Sequence, residues 1–184
     1  QDYLIDPLAI GDLSPLEPIF ANPNIEKIFH AAEYDLICLR RDFGWKVTRI
    51  FDTMIAARTL GWTQLGLGSL LETHFGLKAD KRHQRANWGA RPLTPDQLAY
   101  ARLDTHYLLP LRDQLIEELK SNNCHDEAQE EFDRLSRLIG NNHFALPTFD
   151  PENFWRISGA RDLTSRQAAI LRELFIYRDS AARQ

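Results

Sequence analysis

The chain has 184 residues, 43% of them apolar and 26% charged, which allows one globular domain, or one with part of another, and excludes a disordered chain or a multi-domain machine. Lys and Arg total 22 against 26 Asp and Glu, a formal net charge of −4, so any attraction to nucleic acid must come from a local basic patch. No apolar run approaches the ~20 residues that span a bilayer, the N-terminus carries no secretory signal, and Cys38 and Cys124 have neither CxxC nor zinc-site spacing, so the chain reads as a reduced, cytoplasmic protein.

Tyr3-Leu4-Ile5-Asp6, closed by Pro7, has the size and composition of a short strand. Because Gln1 stands directly before that run with no Met, the chain is expected to begin at an internal cut. A helix over about Leu16 to Phe20 precedes the Asn22-Pro23-Asn24 turn. Lys27 to His30 then reads as a second strand, Ala31 to Phe43 as a helix capped by Gly44, and Arg49 to Phe51 as a third strand. Asp52-Thr53 caps a helix from Met54 to Leu60, and another runs from Gly68 to Phe75 before Gly76. This alternation implies a mixed or parallel sheet covered by helices.

Residues 78 to 91 are polar and basic, with Lys78, Lys81, Arg82, Arg85 and Arg91 against the single acid Asp80, and with Trp88 beside them as a stacking surface for an unpaired base. Such a run also suits a solvated loop. Thr94-Pro95 opens the strongest helix, expected to run unbroken to about Lys120. Ser121-Asn122-Asn123 ends it, an amphipathic segment follows from Asp126 to Ile139, and a Pro-containing linker leads to a last helix from Thr164. Asp150-Pro151-Glu152 reads as a cap with Pro at the first helical position.

On the long helix, Ala101, Asp104, Leu108, Leu111 and Leu115 follow at spacings of three and four, which predicts one inward face with Asp104 inside the apolar stripe. A carboxylate there calls for a partner such as a cation, or else caps a neighbouring loop. Tyr100 lies one turn earlier. Asp35 flanks the apolar side of the 31–43 helix, formed by Ala32, Leu36, Leu39 and Phe43, at the sheet edge where α/β proteins gather ligands. Two carboxylates from different helices suit hard cations such as Mg²⁺ or Mn²⁺, and a pair of those serves phosphoryl chemistry. His74, His106, His125 and His143 show no ligand spacing, and Asp52 suits an N-cap better than a ligand.

The stretches His30-Ala-Ala-Glu-Tyr-Asp35, Phe51-Asp-Thr-Met-Ile-Ala-Ala57, Lys81 through Gln84 to Trp88, Arg91-Pro-Leu-Thr94 and Tyr100-Ala-Arg-Leu-Asp104 closely resemble ribonuclease D and its relatives, the 3′-5′ exonucleases with four acidic ligands and a tyrosine. The resemblance implies an α/β ribonuclease-H-like 3′-5′ exonuclease fold lacking its first strands, over residues 1–122. A helical connector over 123–150 and the start of an HRDC-like helical domain over 151–184 would follow. It makes Asp35 and Asp104 metal ligands for two Mg²⁺ or Mn²⁺ ions, Tyr100 the group that orients the attacking water, and Lys81, Gln84 and Arg91 contacts to nucleic acid or to the active-site loop, with Trp88 and Pro92 structural. The implied substrate is a single-stranded RNA 3′ end, with tRNA precursors favoured. DNA trimming by the same family, or a non-catalytic nucleic-acid-binding protein, are the alternatives. The family's opening Asp-x-Glu is missing, since Asp2 and Asp6 have the wrong spacing, so the fragment is expected to bind metal poorly and hydrolyse little.

Overall fold

The computed structural model describes residues 2–78, 81–141 and 149–182. The chain divides into two compact units, Gln1–His143 and Phe144–Gln184. In the first, α1 (Glu17–Ala21) precedes β1 (Lys27–Phe29), α2 (Glu33–Phe43), β2 (Ile50–Asp52), α3 (Thr53–Thr59), α4 (Leu67–Phe75), α5 (Pro95–His106), α6 (Leu108–Ser121) and α7 (His125–Asn141). Among the described residues no helix is long and apolar enough to cross a membrane.

β1 and β2 pair in parallel, Lys27 opposite Ile50 and Phe29 opposite Asp52, with α2 as the crossover that parallel pairing requires. Two short strands cannot stand alone, so their stability comes from helices packed upon them. α6 places Leu108, Leu111, Leu115 and Leu119 on one buried face, and α7 adds Ala128 and Phe132, the latter's ring 4.9 Å from that of Phe51. Each fully buried leucine contributes roughly 1.5–3 kcal/mol. The segment from His125, expected as a connector, thus belongs by its packing to the core of the first unit.

Local signals end the helices as the sequence predicts. Gly44 and Gly76 take left-handed caps, at φ 73° and 67°, after α2 and α4. Thr94 opens α5 with a reciprocal capping box, its hydroxyl accepting from the Gln97 N–H while the Gln97 side chain accepts from the Thr94 N–H.

Two expectations fail. Residues 3–6 form no strand: Tyr3 is 77% exposed, and the segment pairs with neither strand of the described sheet. Instead Asp6 turns the chain, accepting from the Leu8 N–H, and pairs bidentately with Arg91 at 2.6 and 2.7 Å, while Asp2 meets His106 at 2.8 Å. The helix expected over 94–120 breaks at Tyr107, where φ is −97° and ψ 1°. Pro110 is the cause. In a continuous helix its ring would press on the His106 carbonyl and leave a hydrogen bond unmade, whereas the break puts Pro110 in the first turn of α6, where no N–H partner is needed.

The Asp6–Arg91 clamp carries a pH dependence. Arg91's hydrogen bonds hold the Asp6 carboxyl down at about 2, so its contribution is present above the ordinary carboxylate value of 3.8 and is lost as pH falls through about 2. Protection of the amides across residues 6–10, measured against their intrinsic exchange rates, should therefore fall between pH 4 and 2, and an Arg91→Gln variant should already show low protection at pH 6. Equal protection in both proteins at pH 6 would show that the clamp anchors nothing.

In the second unit, Asp150 caps the 3-10 turn Pro151–Arg156 with Pro at its first position, accepting from the Glu152 N–H at 2.9 Å. A second 3-10 turn, Ala160–Asp162, leads to α8 (Ser165–Ala182). Phe154, Ala160 and Ala168 are buried, and Arg172 ties α8 to Glu152 at 3.0 Å.

Candidate active site

The first unit holds a cavity of about 1040 Å³ bordered by the end of β1, the first turns of α2 and α4, Leu77, Lys78, Arg82, His83 and Gln84, and one face of α5. α5 contributes Asp96, Ala99, Tyr100, Leu103 and Asp104, positions separated by three, four, seven and eight residues from the first and hence on one side of the helix. Asp35, the third residue of α2, enters from the opposite wall. The two acids and the tyrosine singled out from the sequence therefore share one cleft.

What delivers Asp35 is a buried carboxylate behind it. Asp52, at the end of β2, is 1% exposed and accepts four backbone N–H bonds, from Ala31 (3.2 Å), Ala32 (2.7 Å), Met54 (2.8 Å) and Ile55 (3.1 Å). The last two are orphan donors of α3, as expected of an N-cap, while the first two fix the turn that starts α2 and hold Ala31 at φ 58°. His30 is held from the same side, its Nδ1 2.9 Å from Thr53 Oγ1, which itself donates to the Phe29 carbonyl. Burial lowers the His30 pKa, with the nearby Asp52 carboxylate opposing.

Asp104 is not in the apolar stripe. The stripe is real only from Leu108 onward, in α6; the break at Tyr107 leaves Asp104 exposed to the cavity. Asp35 is likewise open to it. Both carboxyls are nonetheless pushed above the usual carboxylate range: surrounding protein strips water from each, and the Asp52 carboxylate adds repulsion at Asp35. The Tyr100 hydroxyl is raised too, by burial and then by the Asp104 charge, so it keeps its proton at neutral pH. Its ring lies 5.9 Å from that of Trp88 and 6.1 Å from that of His83, and Trp88 Nε1 donates to the His83 carbonyl. Trp88 thus braces Tyr100.

Gln84 lines the cavity with Lys78, Arg82 and His83. Lys81 lies on the 3-10 turn Lys81–His83, and its side chain is outside the described residues. Arg91 is not among the residues that line the cavity; its guanidinium donates to Asp6 and to the Trp88 and Ala90 carbonyls. His30, Asp96 and Ser69 also border the cleft, and sequence reasoning did not place them there. Asp96 shares the α5 face with Tyr100 and Asp104, so helical spacing alone could have found it.

Among the described residues no group of three or more His, Cys, Asp or Glu is arranged to hold a metal ion. The carboxylates that border the cleft are Asp35, Asp96 and Asp104. Such oxygen donors fit Mg²⁺, which keeps several waters and is typically held by one or two carboxylates together with substrate phosphates. The cost of charging Asp35 and Asp104 in this cleft is one that a cation would offset.

The family model for 3′-5′ exonucleases matches residues 1–120. Ribonuclease D of Escherichia coli is 37% identical over 186 residues, which is 98% of this chain and 47% of that protein. The crystal structure of the catalytic core of RRP6 from Trypanosoma brucei superimposes with a TM-score of 0.80 at 33% identity, covering 90% of this chain and 46% of the other. NrnC of Brucella melitensis with bound Mg²⁺ matches with a TM-score of 0.64 at 25% identity, over 73% of this chain and 66% of that one. The α/β architecture is that of the RRP6 and ribonuclease D structures. The chain spans less than half the length of the curated relatives it matches.

Proposed function

Since the chain belongs to the 3′-5′ exonuclease family, we propose that it hydrolyses single-stranded RNA from the 3′ end, releasing nucleoside monophosphates with the help of two divalent ions. The observation that carries this reading is the meeting of Asp35, Tyr100 and Asp104 in one cavity, with both carboxyls destabilised as anions. Bound at these carboxylates, a pair of Mg²⁺ or Mn²⁺ ions would activate the attacking water and neutralise the leaving oxygen. Asp35 and Asp104 supply the negative charge that draws the cations and the scissile phosphate together. Tyr100, protonated and held against Trp88, orients the water through its hydroxyl. Gln84 and Lys81 meet the sugar-phosphate chain. Arg91 acts through Asp6, holding the N-terminal segment against the loop that carries Trp88.

Precursors of tRNA and other stable RNAs are the proposed substrates, on the strength of the likeness to ribonuclease D. Residues 151–184 form the start of an HRDC-like module in this reading; α8 leaves Ile170, Leu174 and Tyr177 exposed at spacings of four and three, a face suited to helix packing. The two cysteines are free, which suits a reducing compartment such as the cytoplasm. With two carboxylates as the metal donors, hydrolysis by residues 1–184 alone is proposed to be weak beside that of ribonuclease D.

A 5′-labelled single-stranded RNA should shorten in one-nucleotide steps from its 3′ end with Mn²⁺ or Mg²⁺ and not with EDTA, and the matching DNA should shorten more slowly. Metal-dependent cutting at internal positions, or faster trimming of DNA, would overturn the assignment. A thermal-shift series checks the site separately. Mn²⁺ should raise the melting temperature of the chain, whereas Asp35→Asn/Asp104→Asn should melt slightly higher without metal, having lost two unfavourable charges, and respond to Mn²⁺ hardly at all. An undiminished Mn²⁺ shift in that variant would place the metal elsewhere.

A further inference from the structure

A second concavity, of about 480 Å³, lies on the first unit and shares no lining residue with the cavity above. Leu36, Trp45 and Ile50 are its buried lining. Around it stand Arg40 from the last turn of α2, Lys46 and Arg49 from the segment entering β2, and Arg137 from α7, against one carboxylate, Asp133. A chain of net charge −4 has therefore gathered four cations and one acid about a single opening.

Arg41, Arg91, Arg112, Arg134 and Arg172 each have a carboxylate oxygen within 3.0 Å. Among the described residues, none of the four cations around this cavity has an ion pair. Arg40 donates to the Gly44 carbonyl at 2.7 Å, and Arg49 reaches only the Pro23 and Asn24 carbonyls at 3.4 Å. Asp133 accepts from Gln129 instead. Arg49 also sits at φ 49°, a left-handed conformation unfavourable for any residue but glycine. Clustered, unneutralised and partly strained cations are a cost to the fold and a benefit to an anion.

α2 connects the two sites. Its first turn carries Asp35 to the active-site cavity and its last carries Arg40 to this one. Five residues at 1.5 Å and 100° each set the two positions about 8 Å apart along the axis and about 140° apart around it, so a strand that reaches both passes around α2 over a few nucleotide steps. We infer that this cavity binds the phosphodiester backbone of the substrate strand a few nucleotides upstream of the 3′ end under hydrolysis. The identity of the strand rests on the nuclease reading above; the cations by themselves specify a polyanion.

Fluorescence anisotropy with a 5′-labelled 12-nucleotide single-stranded RNA in EDTA, where nothing is hydrolysed, tests it. Arg40→Gln/Lys46→Gln/Arg137→Gln should weaken binding at least tenfold at low salt. It should also flatten the slope of log Kd against log salt by about 2, three lost contacts at roughly 0.7 each. Lys120→Gln/Arg134→Gln/Arg172→Gln, equal in charge change, should do neither. In the unaltered chain, bound RNA should slow acetylation of Lys46 severalfold, a readout that needs no variant. Unchanged slope in the first triple variant, or unprotected Lys46, would overturn the inference, as would displacement of RNA by a polyglutamate peptide at equal charge, which would assign the cavity to an acidic protein segment. The nuclease reading fails separately: RNA would still bind through these residues, but no 3′ trimming would appear with Mn²⁺.

Discussion

Asp104→Asn should lower metal-dependent 3′ trimming by about a thousandfold. A bound cation contributes several kcal/mol of charge stabilisation in the transition state, and about 4 kcal/mol corresponds to three decades of rate at 1.36 kcal/mol each. The substitution keeps shape and removes the charge that holds the cation, so single-turnover trimming at saturating Mn²⁺ measures it directly. Tyr100→Phe is the matched comparison. It removes only the hydroxyl, 10- to 100-fold is expected for loss of one positioned proton-bearing group, and Mn²⁺ affinity should stay within twofold. Loss of trimming and of Mn²⁺ binding together in Tyr100→Phe would make the tyrosine structural. Full activity in Asp104→Asn would remove Asp104 from the chemistry.

Asp52→Ala should destabilise the first unit by about 3–5 kcal/mol, read from urea unfolding. One lost N-cap costs about 1 kcal/mol, and each buried N–H left without an acceptor costs about 1–3 kcal/mol, although some of the four will find water. Against a total stability of about 5–15 kcal/mol that is a large loss. Asp52→Asn, which keeps one acceptor oxygen, should fall between the two. A change below 1 kcal/mol for Asp52→Ala would mean that the turn at Ala31 holds its shape without the carboxylate. Because this acid starts α2 and thereby aims Asp35, the alanine variant should also lose trimming out of proportion to its folded fraction.

These two aspartates show how differently the site could be read from residues alone. Tyr100 and Asp104 lie one turn apart, so any helix there puts them on one face, and that spacing was enough to pair them. Asp52 was legible as a cap because Asp-Thr before an apolar run is a local signal. Its other two donors, Ala31 and Ala32, lie some twenty residues upstream and carry no mark in the sequence. Three-and-four spacing carried through Tyr107 puts Asp104 on a buried stripe, but Pro110 ends that periodicity by breaking the helix one turn before itself. Motif likeness marks Arg91 as a contact to substrate or loop, and gives no sign that Asp6, 85 residues away, pairs with its guanidinium. The strand expected at 3–6 had the right composition, yet composition cannot provide the neighbour that a strand needs.

By itself, then, the sequence determined where most helices start and stop, which acids and which tyrosine are candidates for the chemistry, and which family the pattern resembles. Each of those depends on atoms within a turn or two of one another, where backbone geometry leaves few choices. Only the tertiary structure decided that Asp35 and Asp104 open into the same cleft, that Asp6 pairs with Arg91, and that four cations from three chain segments surround a second opening. Those outcomes depend on how distant segments pack, and the balance between desolvation and pairing at each charge is set only once the neighbours have arrived.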